Sequence, residues 1–266
     1  MRHQLFRVAL ILVIIIAYYG NAKAQTLKAD YQFQGNLASS VAGVPELANL
    51  TGTGNGPNTF GTEQVDGFSR QVLNFPLNNG VAINALGPIV PNTESMSLVI
   101  LFKLAAVTGK RRVLAAAGGT APGEGGWLID GRIGESEGGS HPPTDANAYF
   151  QITMVRSNNV LTIYRDNIFA VSDVSDGGPI TSLRFFQDWA GANPIQASAG
   201  SIARLRIYDG PLSLDQIHQL DRVPEAPSGN RPILFYSSRN GTTELFRMNT
   251  DGASQVRKTN NEVAEI

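Results

Sequence analysis

The sequence predicts an all-β protein, an antiparallel two-sheet sandwich with one short C-terminal helix and a small β-meander behind it. Three observations predict it. About a dozen short segments alternate apolar and polar residues with the period of a half-buried strand. Turn-forming residues separate them, with 28 Gly and 14 Pro in 266 residues. Only one stretch carries helix signals. Many strands and one helix are the signature of packed sheets.

Taken in order, Leu27, Ala29, Tyr31 and Phe33 alternate with Lys28, Asp30 and Gln32, giving a first strand. Gln34 to Gly61 is rich in Gly, Asn, Ser and Thr and reads as loop. Short strands follow at Gln71–Phe75 and Gly80–Ala85, then a longer apolar one at Ser95–Leu104, with Arg111–Ala116 and Trp127–Asp130 behind it. Gly131 to Asn147 reads as a polar loop. Ala148–Arg156 and Val160–Arg165 form a hairpin about Ser157-Asn158-Asn159. Ile168–Val171 follows Asp166-Asn167, and Ser182–Gln187 is the next strand.

The stretch Ala199–Leu220 organises the rest. Ala203, Leu205 and Ile207 alternate with Arg204 and Arg206, so the first three are expected on the core and the arginines on a wet face. Asp209-Gly210-Pro211 turns the chain. Ser213 and Gln216 have the spacing of a capping box, and Leu212 and Ile217 that of a hydrophobic staple. Leu214, Ile217 and His218 are expected on the inner helix face, with His218 packed.

The first residues read as a targeting segment. Arg2 and Arg7 precede the apolar run Val8–Tyr19, too short for a usual spanning helix, and Ala22-Lys23-Ala24 is a cleavage pattern. Residues 1–24 are therefore expected to be a signal peptide, and the mature chain to be extracytoplasmic, secreted or periplasmic. An uncleaved anchor is the alternative. Cysteine is absent, which excludes disulfides, thiolate metal sites and a cysteine nucleophile. A net charge of −1 gives no electrostatic reason to expect nucleic acid.

Residues 25–223 form the expected sandwich and 224–230 a Pro/Gly/Ser-rich linker. In 231–266, the strands Ile233–Ser237 and Glu244–Met248 surround Arg239-Asn240-Gly241, and Gln255–Lys258 offers a third.

Candidate chemistry is sparse. Glu135 and Glu137 have the i, i+2 spacing of paired carboxylates on a strand, but lie among glycines in a loop, where solvated charges are the ordinary reading. His141 precedes two prolines and reads as exposed. With one lone loop histidine and no cysteine, no zinc site or Ser-His-Asp triad is expected. Gly118–Gly126 lacks the ending of a phosphate loop. Trp127 and Trp189 could stack on a sugar if exposed or fill the core if not. Asp188, beside Trp189, is a further polar candidate. The site expected from sequence is a binding site drawn from Trp189, Asp188, His141, Glu135 and Glu137, with no catalytic residue.

Two resemblances rest on these residues. ITMVRSNNVLTIYRDN, LRFFQDW and SAGSIARLRIYDGPLS stand in the order of, and resemble, the final strands of a laminin-G-like (concanavalin A-like) jelly roll. ILFYSSRNGTTELFRMNTDGASQVRKTNN is similar to one incomplete TolB-type β-propeller repeat, and such repeats need neighbours to bury a core. The first resemblance implies a non-catalytic binding or adhesion module for carbohydrate or envelope protein. It also admits a glycoside hydrolase or lyase of the same fold, or an envelope spacer. It implies a structural calcium in some members. The matching ligand positions carry Gln34, Ala38 and Ala203, none a carboxylate, so no cofactor is expected.

Overall fold

A computed structural model describes residues 25–52, 55–118, 126–134, 143–158, 160–174, 178–187, 196–224, 233–237, 244–248 and 256–257. The strands are β1 (Thr26–Tyr31), β2 (Ala48–Leu50), β3 (Thr59–Val65), β4 (Phe68–Phe75), β5 (Gly80–Ile83), β6 (Ser95–Leu104), β7 (Lys110–Arg112), β8 (Leu114–Gly118), β9 (Trp127–Ile129) and β10 (Arg132–Gly134). They continue as β11 (Phe150–Ser157), β12 (Val160–Arg165), β13 (Ile168–Val174), β14 (Ile180–Phe185) and β15 (Gly200–Asp209), followed by helix α1 (Leu214–His218). The tail holds β16 (Ile233–Ser237), β17 (Glu244–Met248) and β18 (Val256–Arg257).

All pairings are antiparallel, and the chain is a β-sandwich. The larger sheet has eight strands, seven in the order β13-β12-β11-β6-β15-β4-β3 and β1 paired with β15 off that path. β15 is long enough to take β4 against Gly200–Ile202 and β1 against Leu205–Asp209 on its other end. The smaller sheet is β2-β5-β14-β8, and β10-β9-β7 is a three-stranded sheet beside them. The core lies between the main sheets. Ile100, Phe102, Leu205 and Ile207 from one meet Val81, Ile83, Leu183 and Phe185 from the other. Phe186 stacks on Phe75 at 4.5 Å and tilts against Phe102 at 5.1 Å. The sheets come so close to their own neighbours at Gly80 that a Cβ there would meet Phe185 O at 1.9 Å.

Several expectations are corrected, among them the loop Gly131–Asn147, which holds the short strand β10. The expected loop before Gly61 contains β2 and the start of β3, short or polar edge strands with few apolar residues. The expected strand Arg111–Ala116 is two strands, because the chain leaves β7 at Val113 and joins the smaller sheet as β8. Ala203 is buried but on the face opposite Leu205 and Ile207. The register of β15 against β6 shifts between Ile202 and Arg204, a bulge that flips the alternation there. Ala203 therefore joins Val65, Val72, Leu101 and Val223. In α1 only Ile217 is buried: Leu214 is 49% exposed and His218 is exposed, because five residues give one inward-facing side chain. The capping box itself forms, with Gln216 N donating to Ser213 Oγ and Ser213 N donating to Gln216 Oε1. Leu212 and Ile217 share one cluster, as a staple requires.

The outer face of the larger sheet is not wet. Residues 211–223 run back across it as a third layer. Leu212, Ile217 and Leu220 cover Val99, Val155 and Tyr208. Arg204 and Arg206 are 6% and 2% exposed beneath this segment. Arg204 grips Asp30 with two bonds, Nε to Oδ1 at 2.8 Å and Nη2 to Oδ2 at 2.9 Å. Asp221 then bridges the arginines, accepting from Arg204 Nη1 at 2.8 Å and Arg206 Nη1 at 2.9 Å. Burial alone would raise both aspartates, but the hydrogen bonds and charge of Arg204 hold them below the usual carboxylate value.

The tail strands form their own sheet, in the order β16-β17-β18, so the expected meander is present. Among the described residues no helix is long and apolar enough to cross a membrane.

Candidate functional site

Glu135, Glu137 and His141, and likewise Asp188 and Trp189, lie outside the described residues, as does the side chain of Trp127. The structure describes the residues that flank them on either side. β10 ends at Gly134 and the chain returns at Pro143. Thr144 N donates to Gly131 O at 2.9 Å, and Gly131 N donates to Val107 O at 2.8 Å. Gly131 has φ +77°, and a Cβ there would meet Thr144 O at 2.9 Å, so this close crossing requires glycine. Gly109 N donates to Asp130 Oδ1 at 2.7 Å. After the other loop the chain returns at Gln196. Arg111 Nη1 donates to Ala197 O at 3.1 Å, Ala106 N to Ser198 Oγ at 3.0 Å, and Ala105 N to Ala199 O at 2.8 Å. Residues 105–111 thus form one rim that anchors the chain where it returns at Thr144, through Gly131, and at Ala197–Ala199.

Beside this rim, one rung in from the end of the β4–β15–β6 ladder, the larger sheet carries a polar row that the sequence reading missed. Asn74, Ser201 and Lys103 are in register across β4, β15 and β6. Glu63 on β3 and Tyr149, just before β11, complete it. Lys103 Nζ pairs with Glu63 Oε2 and lies 5.3 Å from the Tyr149 ring centroid. Tyr149 Oη donates to Glu63 Oε2 at 3.0 Å. Ser201 Oγ lies 2.9 Å from Glu63 Oε1 and 2.7 Å from Asn74 Oδ1. A hydroxyl has one proton, so Ser201 donates to Glu63 and, with its amide turned, Asn74 donates to Ser201. Burial works to raise Glu63, yet bonds from Lys103, Ser201 and Tyr149 hold it below its ordinary value. Burial and the neighbouring Glu63 charge push the Tyr149 phenol well above its ordinary value. The row is a pre-organised set of donors, acceptors and one half-buried ring, with its carboxylate held ionised. It is suited to holding polar groups rather than to moving protons near neutrality.

The positions where the resemblance implies calcium do not fit a cation. Hard cations need convergent oxygens. Gln34 instead turns its Nε2 toward Gln32 O and Gln71 O, at 3.2 and 3.1 Å. Arg70 Nη2 donates to Gln32 O at 2.7 Å, so a guanidinium already holds that carbonyl. Ala203 is buried in an apolar cluster.

The chain matches no family model. It matches no curated protein. Among solved structures it is similar to domain 4 of AbnA, a GH43 extracellular arabinanase from Geobacillus stearothermophilus, solved in complex with arabinotriose. The identity is 15% and the TM-score 0.53, over 73% of this chain and 97% of that one. It is also similar to the binding domain of botulinum neurotoxin serotype G, at 10% identity and TM-score 0.51, over 88% of this chain and 65% of that one. At these identities the likeness is one of fold, and the chain shares its β-sandwich with domains from an extracellular arabinanase and from a toxin.

Proposed function

We propose that this chain is a non-catalytic extracytoplasmic binding or adhesion module of laminin-G-like type, taking a carbohydrate or an envelope protein as ligand. Its tail is then the first, partial blade of a TolB-type propeller. The observation that carries the reading is the rim at 105–111, which anchors the chain just after each of the two segments that hold the sequence-selected polar and aromatic residues and adjoins the Glu63–Lys103–Tyr149 row. Loops on a rigid scaffold are where binding residues concentrate. The shared fold with a domain solved in complex with arabinotriose supports a glycan as the first ligand to test. Fold by itself decides no function. The residues 1–24 support export.

A glycan array that includes arabino-oligosaccharides, with a pull-down from envelope extract, tests this. Binding is expected, weakened about tenfold or more by Trp189→Ala, since stacking on a ring is worth on the order of 1 kcal/mol or more. No binding in either assay overturns the reading. Hydrolysis of a polysaccharide that is abolished by Glu137→Gln would replace it with a glycosidase.

A further inference from the structure

The segment that follows β15 is tied down at both ends. At its start, Leu212 N donates to Ser97 Oγ at 2.8 Å, and that hydroxyl donates to Gly210 O at 3.0 Å. At its far end stand Asp221, Arg222 and Val223. Asp221 meets two buried guanidiniums at once, and its own carbonyl accepts from Arg206 Nη2 at 2.6 Å. Arg222 donates to Asp66 Oδ2 at 2.7 Å, to Asp166 and to Tyr149 O. Val223 is fully buried. The path between starts at the Ser97 end of β6 and finishes at Leu101 and Tyr149, beside the polar row.

We propose that residues 211–223 are a strap pinned by Asp221, and that this pin fixes where the chain leaves the sandwich, at the end of the larger sheet that carries Leu101 and Tyr149. The charge count says why Asp221 is the pin. Asp30 already serves Arg204 with both oxygens. Arg206 has its Nε without an acceptor among the described residues, and otherwise reaches only Gln151 Oε1 at 3.3 Å and Tyr208 Oη at 3.4 Å. Asp221 is therefore the one carboxylate bonded to Arg206 among the described residues. Losing it leaves Arg206, whose side chain is 2% exposed, without its carboxylate, which is the costly side to break of a pair whose other member, Asp221, is 41% exposed. The cover is thin, a five-residue helix with one buried side chain, so the strap is the part that gives way. The proposal holds whether or not a glycan binds at the rim.

Hydrogen exchange on the full chain tests it. Asp221→Asn is expected to speed exchange at Leu212, Ile217 and Leu220 by about tenfold or more while β6 and β11 change less than about threefold, the signature of local opening. Asp215→Asn, an exposed acid on the same helix, is expected to change neither. Adding Arg206→Met to Asp221→Asn removes the stranded charge and is expected to restore part of the protection, a non-additivity that only coupled residues show. Exchange unchanged in Asp221→Asn overturns the pin, as does equal acceleration of strap and sheet. If Asp221→Asn does not fold, the double variant decides: a folded double supports the pin and an unfolded one overturns it.

Discussion

Arg204 and Asp30 show how much a single buried pair governs here. Their two parallel bonds join β15 to β1, and both side chains are nearly closed to solvent. Replacing Arg204 by Met should destabilise the chain by about 3–5 kcal/mol, because Asp30 stays behind as an unpaired buried charge. Chemical denaturation measures this, and a loss under about 1 kcal/mol would contradict it. The same residues set the acid limb. Asp30, Asp221 and Glu63 are all lowered from ordinary values of 3.8, 3.8 and 4.5 on folding. The unfolded chain then takes up protons first as pH falls. Stability from these groups is complete above about pH 5 and drains away below about pH 4. The melting temperature should be flat from neutrality to that point and fall beneath it; a fall spread evenly over the neutral range would point to other groups. Gly80 adds a steric case. A Cβ would strike the Phe185 carbonyl, which the β5–β14 pairing holds in place, so Gly80→Ala should cost about 2 kcal/mol or more.

At the scale of elements, α1 is a short helix with a division of labour. Ile217 is its single buried side chain, and Ile217→Ala should cost about 2–4 kcal/mol. Leu214→Ala and His218→Ala should stay within about 0.5 kcal/mol, since both point to solvent. Thermal melts of the three variants check the contrast, and similar losses in all three would mean the helix sits differently on the sheet. The hairpins show the same economy. Asp66-Gly67, Asp130-Gly131 and Asp166-Asn167 all take positive φ, the conformation of two-residue turns that match strand twist. Asp166 also ties its turn to β11, accepting from Gln151 N at 2.8 Å, and Arg222 reaches the same carboxylate. One turn residue thus serves a hairpin and the strap.

For the whole molecule, the strap closes on a buried Val223, and the composition of residues 224–230 reads as a linker. Limited proteolysis of the full chain should cut within residues 225–232 and leave a product ending near Pro224 that keeps its melting temperature. A tail that resists cleavage, or a product that unfolds, would mean that the sandwich and the β16–β18 sheet form one unit. Chelation is a second whole-molecule test. With Gln34 and Arg70 offering donors to Gln32 O, EDTA should leave the melting temperature unchanged. A fall reversed by Ca²⁺ would reveal a site built from other oxygens, because a ligand of the folded state alone raises its stability.

The sequence by itself determined the class of fold and most strands, because period-two alternation and turn residues are local signals. It placed Ser95–Leu104 and Val160–Arg165 at their observed bounds and the capping box on Ser213 and Gln216. It missed β3, whose TFGTEQV is an edge strand with few apolar residues, although Asp66-Gly67 carried the hairpin signal. It could say that Arg204 and Arg206 share the polar face of β15, but not whether that face meets water. Tertiary structure decided that. The strap lands on the arginines, and Asp30 and Asp221, 174 and 17 residues away from Arg204, arrive to neutralise them. The polar row of Glu63, Asn74, Lys103, Tyr149 and Ser201 was invisible for the same reason. Its members come from five separate stretches of chain: sheet registration, a long-range property, sets Asn74, Lys103 and Ser201 side by side, and Glu63 and Tyr149 reach them by side-chain bonds.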